Sequence, residues 1–198
     1  MNATILALFA ATTMLAISGN PLSSPFIDSG PPVGMELPAF DPRHVTGPDR
    51  GTTTCPMCKY GMGSGVLVWV NGDDRDNVVR IAAALDREIA RRGPDRFRAF
   101  VVDMNPDGVS RKEIEQRLIE LEASQRLHHV ALAYVPSPTD AKSSRLYRIN
   151  PNRAVRNTVL VYRRRRVTAR FVNLEATPAG VRPLLQAIAS VSGSESAR

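Results

Sequence analysis

Val66-Leu67-Val68-Trp69-Val70 runs into Asn71-Gly72-Asp73-Asp74-Arg75-Asp76-Asn77, and then into Val78, Ala82, Leu85 and Ile89 at helical spacing. The five apolar residues read as a strand buried on both faces. The polar segment reads as the loop beyond it. Arg80, Arg87 and Arg91 occupy the other faces of the helix, and Gly93-Pro94 stops it. A buried strand feeding a helix is the repeating unit of α/β domains, so the rest of the chain is read outward from this point.

Downstream the unit repeats. Phe97 to Asp103 reads as a second strand, with Ala99-Phe100-Val101-Val102 at its centre. Ser110 and Glu113 form a capping box for a second helix whose core stripe is Ile114, Leu118 and Leu121. Val130 to Val135 is a further strand, and residues 136–157 are irregular, with a helical turn expected around Ala141 to Leu146. Thr158 to Tyr162 and Val167 to Val172 make an antiparallel hairpin with a basic tip, Arg163-Arg164-Arg165-Arg166. A last helix has Thr177 as cap, Pro178 in its first position and Val181, Leu184, Leu185 and Ile188 as its buried face. Pro183 is awkward within it and argues for a later start. The expected fold is α/β, with a mixed, mostly parallel sheet, flanking helices and an amino-terminal extension.

Upstream, Ile5 to Ile17 is almost all apolar or small, and Ala16-Ile17-Ser18 has the shape of a cleavage site. Residues 1–18 are expected to be a signal peptide, or an amino-terminal membrane tether, since no Lys or Arg precedes the apolar run. Residues 19–34, rich in Pro, Ser and Gly, read as a flexible linker. Residues 35–191 are the expected domain and 192–198 a disordered tail. The protein is therefore expected to be exported, periplasmic or extracellular.

The formal net charge is +7, and all but three of the 26 basic residues are arginine, spread along the chain. No aromatic residues interleave the arginines as a single-strand binder requires, so no nucleic-acid partner is expected. The hairpin tip reads either as a docking point for an anionic partner or as a solvated turn. Asp73, Asp74 and Asp76 read as helix caps in preference to a metal cluster.

The chain has two cysteines, in Cys55-Pro56-Met57-Cys58, set in a loop between the turn clusters at 47–51 and 61–65. Behind an export signal, such a pair is expected to be a disulfide, either reversible or structural. As a reversible couple it would exchange with a thiol or disulfide of a partner protein, and Lys59 beside it would favour a thiolate. As a staple it would close too short a loop to remove much chain entropy. His44, His128 and His129 would be needed to complete a zinc site, but their spacing matches no familiar module. Lys59 stands where covalent haem attachment requires a histidine. No cofactor is expected.

Val33-Gly34-Met35-Glu36-Leu37-Pro38-Ala39-Phe40 resembles the opening of peroxiredoxin-like domains of the alkyl hydroperoxide reductase/thiol-specific antioxidant type. The hairpin from Thr158 to Val172 and the helix after it are similar to the late elements of those domains. The resemblance covers roughly residues 33 to 191 and implies a thioredoxin-like fold. By similarity to the thioredoxin motif, Cys55 would be the nucleophile and Cys58 the resolving cysteine. Two features depart from the family. Its reactive cysteine follows the central strand, where this chain has Asn71 to Asn77 and no cysteine. Thioredoxins carry a cis-proline before the late hairpin, where this chain has Arg156-Asn157. A peroxidase of the family type is therefore not expected, and a non-catalytic binding domain with a structural disulfide remains the alternative to exchange.

Overall fold

The computed structural model describes residues 27–192. The expected signal peptide, the first half of the linker and nearly all of the tail lie outside these residues. Ten elements follow in order: β1 (Arg43–His44), α1 (Pro56–Tyr60), β2 (Ser64–Val70), α2 (Arg75–Arg92), β3 (Phe97–Met104), α3 (Arg111–Gln125), β4 (Ala131–Val135), β5 (Asn157–Arg163), β6 (Arg166–Val172) and α4 (Pro178–Ser192). The strands form one sheet in the order β1-β4-β3-β2-β5-β6. β2, β3 and β4 are mutually parallel, and β5 is antiparallel to both β2 and β6. Four strands thus run one way, with β1 and β5 opposed.

Alternation along β2 divides the core. Val66, Val68 and Val70 face a layer built from α2, α3 and α4, through Ile81, Leu85, Leu118, Leu184 and Ile188. Leu67 and Trp69 face the other side, where no long helix lies. There the amino-terminal segment supplies Leu37 and Phe40, α1 supplies Met57, and the turns at 141–148 supply Tyr147. The Trp69 ring centroid lies 5.2 Å from that of Phe40 and 4.9 Å from that of Tyr147. Burying aromatic surface of this size does for this face what amphipathic helices do for the other.

The helix ends follow the local chemistry. Asp74 caps α2 by accepting from the amides of Asp76 and Asn77, and Ser110 caps α3 by accepting from that of Glu113. α4 starts at Pro178, not later, because Thr177 Oγ1 accepts from the Gly180 amide and Pro183 lies on an exposed face. Ser29 and Gly30, within the stretch whose composition suggests a linker, are buried against β5 and β6. The Ser29 hydroxyl meets that of Thr158 at 2.6 Å, and the Gly30 amide donates to Arg148 O.

Candidate functional site

Cys55 and Cys58 form a disulfide with a Cα–Cα distance of 5.2 Å. Cys55 is the N-cap of α1 and Pro56 its first residue, where the missing N–H costs nothing. The Cys58 amide donates to Cys55 Sγ at 3.0 Å. Cys58 is exposed and Cys55 half-buried. Cys58 is thus the more accessible of the pair.

α1 is held independently of its sulfur atoms. Met57 is buried in the aromatic face of the core. Asp49, 5 % exposed, accepts from Lys59 Nζ at 2.6 Å and from Tyr60 Oη at 2.8 Å. Burial, the largest single influence, works to raise the pKa of Asp49, but these two bonds and the charges of Lys59 and His44 together outweigh it and lower the pKa. The same contact raises the pKa of Lys59, so the cation beside Cys58 is secured. Tyr60 packs on Phe100, and the Arg98 guanidinium lies 4.7 Å from its ring centroid.

The basic hairpin tip forms the other clamp. Arg164 and Arg165 both have positive φ, 47° and 62°, as a two-residue hairpin turn requires. Their amides donate to Gly63 O at 2.9 Å and Gly61 O at 2.7 Å. Arg165 also reaches Leu37 O and pairs with Glu36. The tip thus ties α1 to the amino-terminal segment, which neither sequence reading of the arginines contains. Gly61 is required there, since a Cβ would meet the Arg165 side chain at 2.6 Å.

These contacts place the cysteine pair at the amino end of β2. Ser64, the first residue of β2, pairs with Arg163, the last of β5. The carboxyl end of β2 carries Asn71 to Asn77, and a closed polar network fills it. Asn157 is fully buried and donates to Asp73 Oδ2 at 2.6 Å and to Leu174 O at 3.0 Å, while its Oδ1 accepts from the Leu174 amide. Asn77 donates to the same Asp73 oxygen and to Leu174 O, and accepts from the Ala176 amide. Sequence reasoning reads Asn157 only as a missing proline. Its position at the first residue of a fully buried strand is the signal that it must pair.

His44 is buried, donates through Nε2 to Thr54 O at 2.9 Å, and has its pKa lowered, chiefly by burial. A carbonyl partner requires Nε2 to be the donor. The amides of His128 and His129 instead bond Asp86 on α2, on the helical face. The three histidines therefore do not converge on the cysteines. Among the described residues, no group of three or more His, Cys, Asp or Glu side chains is placed to hold a metal ion.

No protein-family model matches the chain, and no curated protein matches it. Solved structures do match. A putative thiol:disulfide interchange protein DsbE from Chlorobium tepidum is similar with a TM-score of 0.58 at 15% identity, over 82% of this chain and 99% of that one. A putative protein disulfide isomerase from Bacteroides thetaiotaomicron is similar with a TM-score of 0.59 at 11% identity, over 85% and 96%. Peroxidoxin BcpB from Mycobacterium tuberculosis is similar with a TM-score of 0.57 at 16% identity, over 80% and 97%. The chain has the thioredoxin-like fold, in an arrangement shared by disulfide-interchange proteins and peroxiredoxins.

Proposed function

We propose that this protein exchanges thiols and disulfides with partner proteins through Cys55 and Cys58, outside the cytoplasm. The observation that carries the reading is an exposed Cys58 joined to a Cys55 sulfur that already accepts an amide hydrogen bond. A partner thiolate attacks Cys58 Sγ, the Cys55–Cys58 bond breaks, and Cys55 leaves as a thiolate stabilised by the Cys58 N–H. A second partner thiolate then attacks the partner's own sulfur in the mixed disulfide. The partner gains a disulfide, Cys58 leaves as a thiolate, and the pair holds the two electrons and takes up protons from water. The reverse sequence reduces a partner disulfide, with Cys58 attacking and Cys55 resolving. This assigns Cys58 the entry role that similarity to thioredoxin gives to Cys55.

The anchoring of α1 by Met57, Asp49 and the Arg164–Arg165 amides supports a working disulfide over a staple, because the helix needs no cross-link to stay in place. The apolar stretch at residues 5–17 supports export. No helix among the described residues is long and apolar enough to cross a membrane.

The test is trapping. Cys55→Ser should accumulate a mixed disulfide through Cys58 with an oxidised, disulfide-bearing model protein, releasing one of its thiolates, and Cys58→Ser should not. The wild-type pair should equilibrate with glutathione or dithiothreitol at a potential between about −120 and −270 mV. A potential below about −300 mV, where structural disulfides lie, would overturn the proposal.

A further inference from the structure

A cavity of about 200 Å³ opens at the carboxyl end of the sheet, away from the cysteines. It lies in the crevice between the loop after β2 and the loop after β3, where Val70 and Asp103 are register partners. Crevices outside the carboxyl ends of parallel strands are the usual ligand positions in open α/β sheets. Val78, Leu118 and Leu121 give it an apolar wall, and Arg75 and Arg117 reach it from α2 and α3.

Two carboxylates line this space, and they differ. Asp73 is saturated: Oδ2 accepts from Asn77 and Asn157, and Oδ1 from the Asp74 amide. Among the described residues none donates a hydrogen bond to Asp103. Burial raises its pKa to about 6, and the charge of Arg117 is the one opposing influence. Asp103 is half-buried and lines the open crevice, so water can serve its carboxyl until a ligand group takes that place. The neighbouring residues of β3, Val101, Val102 and Met104, are apolar and buried. Asp103 is thus an open acceptor aimed into a small apolar space with guanidinium groups nearby.

We propose that this crevice binds a small zwitterion, a free α-amino acid with an aliphatic side chain. The ligand ammonium donates to Asp103, its carboxylate accepts from Arg75 and Arg117, and its side chain lies against Val78, Leu118 and Leu121. A simple cation would meet the two arginines, and a simple anion would meet Asp103. Only a ligand carrying both charges satisfies both ends. The volume equals that of roughly seven waters, which limits the ligand to about the size of valine or leucine. Arg117 also pairs with Glu113 one turn earlier on α3, and this bond would yield or be shared on binding.

The test uses the full chain and millimolar L-valine, L-leucine and L-isoleucine, read by thermal shift and by calorimetry. At least one should bind, while its amide, which lacks the carboxylate, and its deaminated acid, which lacks the ammonium, should bind at least tenfold more weakly. Asp103→Asn should abolish the response. Arg117→Gln, on an exposed face of α3 and therefore harmless to folding, should weaken it tenfold or more. Failure of all three amino acids to bind would overturn the proposal. So would deaminated acid binding as tightly as the amino acid, or an unchanged response in Arg117→Gln. Cys55→Ser/Cys58→Ser should bind like wild type, so this outcome and that of the exchange experiment are read separately.

Discussion

The two ends of β2 are built on opposite principles. At its amino end, one turn and a half of helix carries a disulfide to the surface, held from below by Met57 and from the sides by Asp49 and the Arg164–Arg165 turn. At its carboxyl end, Asn77, Asn157 and Asp73 close on one another and on the backbone of Leu174. The family that the chain resembles places its reactive sulfur at the carboxyl end. Here the β5 side of that end is sealed by hydrogen bonds, and the sulfur atoms lie at the other end. The fold therefore does not dictate where its cysteines sit; side chains at the strand ends do.

The contrast is broken most severely at the sealed end. Asn157→Ala should lower the unfolding free energy by about 3–4 kcal/mol, because it leaves the buried Leu174 amide unpaired and removes the bonds to Asp73 and to Leu174 O, the latter carbonyl keeping Asn77 as its donor. Urea denaturation reads this directly, and a loss under about 1 kcal/mol would mean that water enters and the end is not sealed.

A smaller effect is expected from pH at the neighbouring crevice. Asp103 has its pKa raised from 3.8 to about 6. The folded protein thus holds a proton that the unfolded chain has released, so stability falls as pH rises from about 4 to about 6 and stays lower above that range. The raised pKa corresponds to on the order of 2–3 kcal/mol. Arg117 of α3 and Arg75 of α2 keep their charge throughout, and Asp73 faces the same space from the loop after β2. Asp103→Asn should flatten this part of the stability profile, and an unchanged slope would move the titration to another group.

The smallest effect belongs to the disulfide. Cys55→Ser/Cys58→Ser should cost no more than about 2 kcal/mol, since the ring is short and α1 is anchored without it. A larger loss, measured by the same denaturation, would turn the amino end into a stapled structure and remove the contrast.

Much of this molecule was legible in its sequence. The buried strand at 66–70, the helical stripes of α2, α3 and α4, the Ser110 cap and the late hairpin all rest on local periodicity and capping, which act over a few residues. The pairing of Cys55 with Cys58 was also readable, being a contact three residues long. The roles of Asp49, Asp103 and Asn157 were not. Asp49 looks like an ordinary turn residue, yet it anchors Lys59 and Tyr60 ten and eleven positions away. Asp103 carried a faint signal, an acid closing an apolar strand.

By itself, then, the sequence determined the order of the elements, their buried faces and the identity of the sulfur couple, because periodicity, caps and short loops are local properties. Only the tertiary structure decided that the couple sits at the amino end of β2, that Cys58 is more exposed than Cys55, and that Asp103 faces an open crevice while Asp73 is saturated. These depend on contacts such as Asn157 with Asp73 or Arg165 with Gly61, between residues some 80 to 100 positions apart. No local pattern encodes such pairs, because sheet register and loop packing bring them together only once the whole core has formed.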